Sequence, residues 1–473
     1  MTSLDLLFWV LWVVTALAAG LQVLRPILTT DGLLGFPFVA GLAWLYFYVY
    51  MAYDVAVSLR DFVPIKALCL GQFVALISFL GLVAGWEAAV RKNSPVRVRS
   101  YRTLYPADRL WQGGMLFLIA GILGQYTFMA QETVDWRNTS AYWHMLYLLG
   151  YPGAALCIAA TIRTPPHHRV FRTIALSVAI AILQYPFLLY ARRGPLFPAV
   201  IMLTFAPILF RGKRPRRVVV VGALGGAGAL MMLFLAIRPF IYYVDRTAVS
   251  RGWKEGLSDL SASVVLTNRG KYLGDNEYAY HCGAVWTLYR TGLYQYGTGY
   301  LTLLTHWVPR QLWQDKPSLS EGLFPDVYGE IPNEMGWQMT NGAAWGGACD
   351  VFEEFGFLSP LFWAALAYLA GRSYREALSR RLDQQMTYLG FLAGTHWLVS
   401  QGFGAAFVPL CIFTIPPAVF LRYARIEPSF TTQRRSLLPH ARNCHAKDML
   451  VPPHTLRSHN RATRPIRRDM PAL

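Results

Sequence analysis

Charge is what this sequence has least of. Only 15% of its 473 residues are Asp, Glu, Lys or Arg, too few to cover a soluble protein of that length. Paired cysteines are missing as well. Cys69, Cys157, Cys282, Cys349, Cys411 and Cys444 share no repeating spacing, which excludes a zinc ribbon or a dense disulfide framework. Cys69, Cys157 and Cys411 fall in or beside apolar runs, and nothing in the spacing supports a bridge between Cys282 and Cys349. There is no HExxH, no clustered His/Cys ligand set and no GxSxG nucleophile elbow, so neither a metal nor another cofactor is expected. No internal repeat divides the chain into the two halves of a transporter. Gly222–Gly228 (GALGGAG) lacks the spacing of a dinucleotide loop and sits within an apolar run, where small residues serve close helix packing.

What the chain has is apolar length. Hydrophobic residues make up 54% of it and the mean hydropathy is +0.32. They come in runs of about 18 to 22, enough for a helix to cross a hydrocarbon core of ~30 Å. Spans are expected at 4–24, 33–53, 68–88, 111–130, 143–161, 173–190, 195–211, 218–240, 352–371, 386–403 and 405–422. The first has no basic flank and no cleavage site, so it reads as a retained span. The net charge of +18 would invite nucleic acid, but its distribution points elsewhere. Thirty of the 44 Lys and Arg lie in alternate connections and in the tail from Arg422. By the positive-inside rule that side is cytoplasmic, with the N-terminus outside and the C-terminus inside.

The expected fold class is therefore an all-α polytopic membrane protein with about eleven transmembrane helices. It divides into a bundle at 1–241, a large outer loop at 242–345, further spans at 346–422 and a basic, Pro- and His-bearing tail at 423–473. The loop holds 8 basic and 10 acidic residues. At that length it should fold into a cap with short helices of its own. Its many aromatic residues, among them Tyr296, Tyr300 and Trp313, have two uses. They anchor a chain at a membrane surface, or their faces stack on the C–H face of a sugar ring.

The segment Trp307-Val308-Pro309-Arg310-Gln311-Leu312-Trp313-Gln314-Asp315-Lys316-Pro317 sets two cations between two stiffening prolines. A guanidinium fork and an ammonium held rigid suit a diphosphate; the other reading pairs Lys316 with Asp315 and sends Arg310 to headgroups. Arg192 and Arg193 stand at the outer end of one expected span. Arg238 lies inside another near its outer end, where an arginine is costly and is either a functional-site candidate or a side chain snorkelling to the outer headgroups. Asp350, Glu353 and Glu354 have the i, i+3, i+4 spacing of one helix face, which serves acid–base work or an ion-paired helix start. His306 is a second candidate base and His281 a third.

The stretch PRQLWQDKP resembles the PRxLWPxKP signature of the bacterial O-antigen polymerase family, also called oligosaccharide repeat unit or Wzy-type polymerases. Ala191–Leu196 (ARRGPL) is similar to the family's Arg-Gly turn, and Asp350–Gly356 (DVFEEFG) to its ExYxNFG entry into a late helix. Gln314 replaces the signature's internal proline. Asp350, Phe352 and Glu354 stand where Glu, Tyr and Asn are usual. The resemblance implies a GT-C-like fold in the bacterial inner membrane, with a partly helical periplasmic loop. It also implies glycan growth on a polyprenyl-diphosphate-linked oligosaccharide, which serves as both donor and acceptor. Arg192, Arg193, Arg238, Arg310 and Lys316 would then bind diphosphate. Asp350, Glu353, Glu354 or His306 would be catalytic, and Trp313, Tyr296 and Tyr300 would stack on sugar. Membrane lipid is the further partner the resemblance implies, together with the chain-length regulator that the family often uses; nucleic acid is not expected. A ligase that moves finished glycan shares this topology, and a flippase is the alternative from another class.

Overall fold

The computed structural model describes residues 2–29, 33–91, 105–129, 140–189, 196–212, 222, 226, 276–305, 308, 313, 327–337, 344–379 and 381–425. Among them every regular element is helical. In chain order these are α1 (Ser3–Thr29), α2 (Phe36–Ser58, with a π turn at Leu45–Tyr50), α3 (Ile65–Arg91) and α4 (Ala107–Met129). Then come α5 (Ser140–Leu148), α6 (Gly150–Arg163), α7 (Pro166–Leu189) and α8 (Leu196–Arg211). The stretch 242–345 contributes α9 (Glu277–Thr291), α10 (Thr298–Thr305) and α11 (Val327–Met335). Last are α12 (Gly347–Phe355), α13 (Ser359–Ala377), α14 (Leu382–Ser400) and α15 (Phe403–Ala424).

Among the described residues six helical stretches are long and apolar enough to cross a membrane: Ser3–Leu28, Phe36–Ser58, Ile65–Arg91, Met145–Arg163, Gly347–Ala377 and Phe403–Ala424. They fit a membrane protein. Helices also occupy four more of the expected spans, in α4, α7, α8 and α14, but these do not meet both conditions. α8 is apolar but has only 16 residues, and α14 carries Asp383, Gln384, Gln385 and His396 among its apolar residues. The expected span 218–240, with its glycine-rich run, lies outside the described residues except for Gly222 and Gly226.

The packing centre is aromatic. Trp44 of α2 meets Phe79 of α3 at 5.2 Å and Trp363 of α13 at 5.4 Å between ring centroids, and all three rings are fully buried. Truncating one such ring costs about 3–5 kcal/mol. α3 and α13 approach backbone to backbone through Gly81 and Gly85. A Cβ at Gly85 would stand 1.9 Å from the Ala364 carbonyl oxygen, so this face admits no side chain.

One polar group inside this packing has every partner it needs. Gln72 of α3 donates to Thr15 Oγ1 (2.9 Å) and to the Tyr48 carbonyl (3.2 Å), and its oxygen accepts from the Tyr278 hydroxyl (2.6 Å). One buried amide thereby ties α1, α2, α3 and α9, and leaving any of these groups unpaired would cost about 1–3 kcal/mol. Cys282 and Cys349 are separate buried free thiols, so no bridge joins them.

Candidate active site: two carboxylates at a helix junction

The site is built around α12, whose start is set from α2. Tyr48, in the π turn, accepts a hydrogen bond from the Ala348 N–H (3.0 Å) and donates to the Val399 carbonyl (3.2 Å). It satisfies a first-turn N–H of α12 and ties that turn to the end of α14. Gly346, at φ +83°, brings the backbone so close that a Cβ would lie 2.5 Å from the Tyr48 oxygen. α12 ends at Gly356, which is also at positive φ, and a 3₁₀ turn leads into α13.

Asp350 is half-buried and turned towards the start of α15. Its Oδ2 accepts from the Tyr300 hydroxyl (2.5 Å) and the Phe403 N–H (2.9 Å), and the Gly404 N–H also faces it. Phe403 and Gly404 are the first two residues of α15, so a carboxylate from another helix supplies its cap. Gly402, at φ +105°, makes this contact fit: a Cβ there would be 2.3 Å from the Asp350 carboxyl carbon.

Glu354, one turn further along, is 5% exposed. The first turn of α10, at Gly297, Gly299 and Tyr300, packs against its carboxylate. Tyr296 and Gly297 both have positive φ, 51° and 86°, so two left-handed residues aim the first turn of α10 at the anion. A Cβ on Gly299 would collide with Glu354 Oε1 at 1.9 Å. The YGTGY run is thus a backbone cradle for a carboxylate. Glu354 Oε2 is buried and has no hydrogen-bond partner. Glu353 is half-buried, and its carbonyl accepts from the Gln295 N–H (2.9 Å).

Tyr300 stands between the two carboxylates, with its hydroxyl on Asp350 and its backbone against Glu354. Burial, and then the charge of Asp350, hold the phenol well above its ordinary pKa, so it remains a donor. Its ring packs against Phe403, Phe362 and Phe355 at 5.0, 5.3 and 5.9 Å, which leaves its faces occupied by protein. Tyr296 is 74% exposed and Trp313 41% exposed, so both present open faces.

His281 sits apart from this site, on α9, with Nε2 3.0 Å from the Gly71 carbonyl and Nδ1 3.1 Å from the Trp345 carbonyl. Burial pushes its imidazole down to about 4, so it is neutral and straps α9 to α3. His306 and the cations Arg192, Arg193, Arg238, Arg310 and Lys316 lie outside the described residues. Among the described residues no cation pairs with Asp350 or Glu354, and no group of three or more His, Cys, Asp or Glu could hold a metal ion.

Sequence reasoning missed Tyr48, the Gly402–Gly404 turn and His396. The last lies face to face, at 3.9 Å, with Phe197 of α8, which follows the ARRGPL segment directly in sequence. A histidine within an expected span was the available signal for it. The arrangement as a whole offers a buried acid–base group with one open acceptor, Glu354 Oε2, beside a fixed phenol donor. Comparison with protein-family models, with curated proteins and with solved structures finds no match to this chain.

Proposed function

We propose that the chain is a membrane glycosyltransferase that polymerises polyprenyl-diphosphate-linked oligosaccharide units, and that it resembles the O-antigen polymerases in activity. The observation that carries this reading is the carboxylate pair on α12, tied through Tyr300 to the loop that bears the proline–arginine signature. In this reading the chain spans the bacterial inner membrane eleven times, with the N-terminus periplasmic and the C-terminus cytoplasmic, and transfer takes place at the periplasmic face.

Chemistry follows from the groups at hand. A carboxylate on α12 takes the proton from the acceptor sugar's hydroxyl, whose oxygen forms the new glycosidic bond. The bond between the donor's anomeric carbon and the diphosphate breaks, and its electron pair leaves with the diphosphate, which stays on its lipid. Arg192, Arg193, Arg238, Arg310 and Lys316 stabilise the charge that develops there, so no metal is required. Trp313 and Tyr296 are the sugar-stacking faces, since the ring of Tyr300 is occupied by phenylalanines.

The deciding experiment deletes the gene and analyses lipid-linked and surface glycan. Accumulated single repeat units support polymerisation. Accumulated unattached polymer assigns a ligase instead, and units trapped on the cytoplasmic face assign a flippase. In a complemented strain, Arg310→Ala and Lys316→Ala should each abolish chain growth while the protein stays folded in the membrane. Polymer of normal length in either variant would sink the diphosphate clamp.

A further inference from the structure

Residues 291–305 contain no Asp, Glu, Lys, Arg or His. This stretch would ordinarily be read as part of a water-facing cap, and its surface is the wrong kind for that. Tyr296 is 74% and Leu301 61% exposed, and Tyr289, just before it, is 52% exposed. The apolar surface continues across a ring contact, Tyr289 to Phe357 at 6.4 Å. From there it runs onto Phe357 (49%), Leu358 (63%) and Leu361 (67%) at the start of α13, and on to Leu369 (55%) along the same helix. Leu358, Leu361 and Leu369 share one helix face, the exposed flank of the stretch Gly347–Ala377 that is long and apolar enough to cross a membrane. Among the described residues of this segment the one cation, Arg290, is drawn aside to Glu334 of α11 at 3.6 Å. An uncharged, tyrosine-edged patch continuous with a membrane-facing flank has the composition of the boundary between headgroups and acyl chains.

We propose that the segment 289–301, with Phe357, Leu358 and Leu361, lies in that boundary and binds the bilayer surface itself. The YGTGY cradle around Glu354 is then part of a wall that faces lipid sideways, and a lipid-linked substrate reaches it without leaving the membrane. The placement rests on the membrane reading of α12 and α13, not on the polymerase reading.

The test uses nitroxide labels on full-length protein in phosphatidylethanolamine/phosphatidylglycerol vesicles. Tyr296→Cys and Leu301→Cys are labelled in a Cys444→Ser background; the other five native cysteines are buried or half-buried, and the background protein alone supplies the control. Leu369→Cys is the lipid reference. Asp61→Cys, exposed in the turn between α2 and α3, is the water reference. Power saturation with oxygen and with a nickel chelate should place residues 296 and 301 on the lipid side of zero depth, with the sign of Leu369. Nickel accessibility equal to that of Asp61 at either position overturns the proposal. So does spin–spin broadening of the Leu301 label at low protein density, which would mean that a second copy of this chain covers the patch.

Discussion

Asp350 and Glu354 are one turn apart on the same face of α12, yet their surroundings differ in kind. Asp350 meets a hydroxyl and the first two N–H groups of α15, so its lone pairs are spent on holding a membrane helix in place. Glu354 faces the tight turn at Gly297–Tyr300, and its Oε2 is buried and unmatched. A carboxylate that exists only to stabilise a fold gains nothing from an unmatched oxygen, which costs about 1–3 kcal/mol. In the proposed reading Asp350 serves architecture and Glu354 chemistry, and that contrast can be broken from either end.

The largest effect is expected at Glu354. Glu354→Gln keeps an oxygen against the turn at Gly297–Tyr300 but cannot take a proton. Chain growth from lipid-linked repeat units in vesicles should fall about 10²–10⁴-fold, with the unfolding temperature in detergent nearly unchanged. Wild-type growth in this variant would return the acid–base role to another residue.

Asp350→Ala should do the reverse. It uncaps α15 and strands the Tyr300 hydroxyl, for a loss of about 3 kcal/mol in stability. Chemical denaturation of the purified protein would register that loss whether or not any glycan is supplied. Stability equal to wild type would remove the distinction between the two carboxylates.

How much of this could be read from the sequence follows the range of the forces involved. Apolar runs of membrane length and the spacing of Asp350, Glu353 and Glu354 are local, and where the residues are described, helices stand at the expected stretches. Among the described residues the strict length and composition of a crossing helix hold for six stretches; polar residues such as Gln384 and Gln385 dilute α14, and α8 is apolar but short. The division of labour between Asp350 and Glu354 was not legible. It depends on Gly402, more than fifty positions from Asp350, and on a turn at 296–300 whose left-handed residues have no side-chain signature at Tyr296. In the sequence Tyr296 and Tyr300 read as rings for sugar or membrane, whereas the glycines between them shape the site. The cations of the proposed clamp lie outside the described residues and rest on the sequence alone.

A smaller change sharpens the comparison from between the two carboxylates. Tyr300→Phe retains the packing against Phe403, Phe362 and Phe355 but removes the donor to Asp350. About 1.5 kcal/mol of stability should be lost, half of the Asp350→Ala effect. In the double variant Tyr300→Phe/Asp350→Ala the two losses should fall short of additive, because each removes the same bond. Full additivity would mean that the hydroxyl acts on something other than Asp350.

The smallest effect has the opposite sign. Tyr296 holds φ at +51°, a left-handed conformation that costs a non-glycine residue about 1–2 kcal/mol, and glycine would adopt it freely. Tyr296→Gly should therefore raise the unfolding free energy by about 1 kcal/mol, less whatever its ring gains from Tyr294 at 6.2 Å. A tyrosine kept at a strained, 74% exposed position is retained for something other than stability. Sugar stacking and membrane contact both need that ring, so glycan chain growth in vesicles should fall in this variant even as the protein becomes more resistant to denaturant. A variant that gains stability and keeps full activity would leave the ring without a role and confine the site to the cradle beneath it.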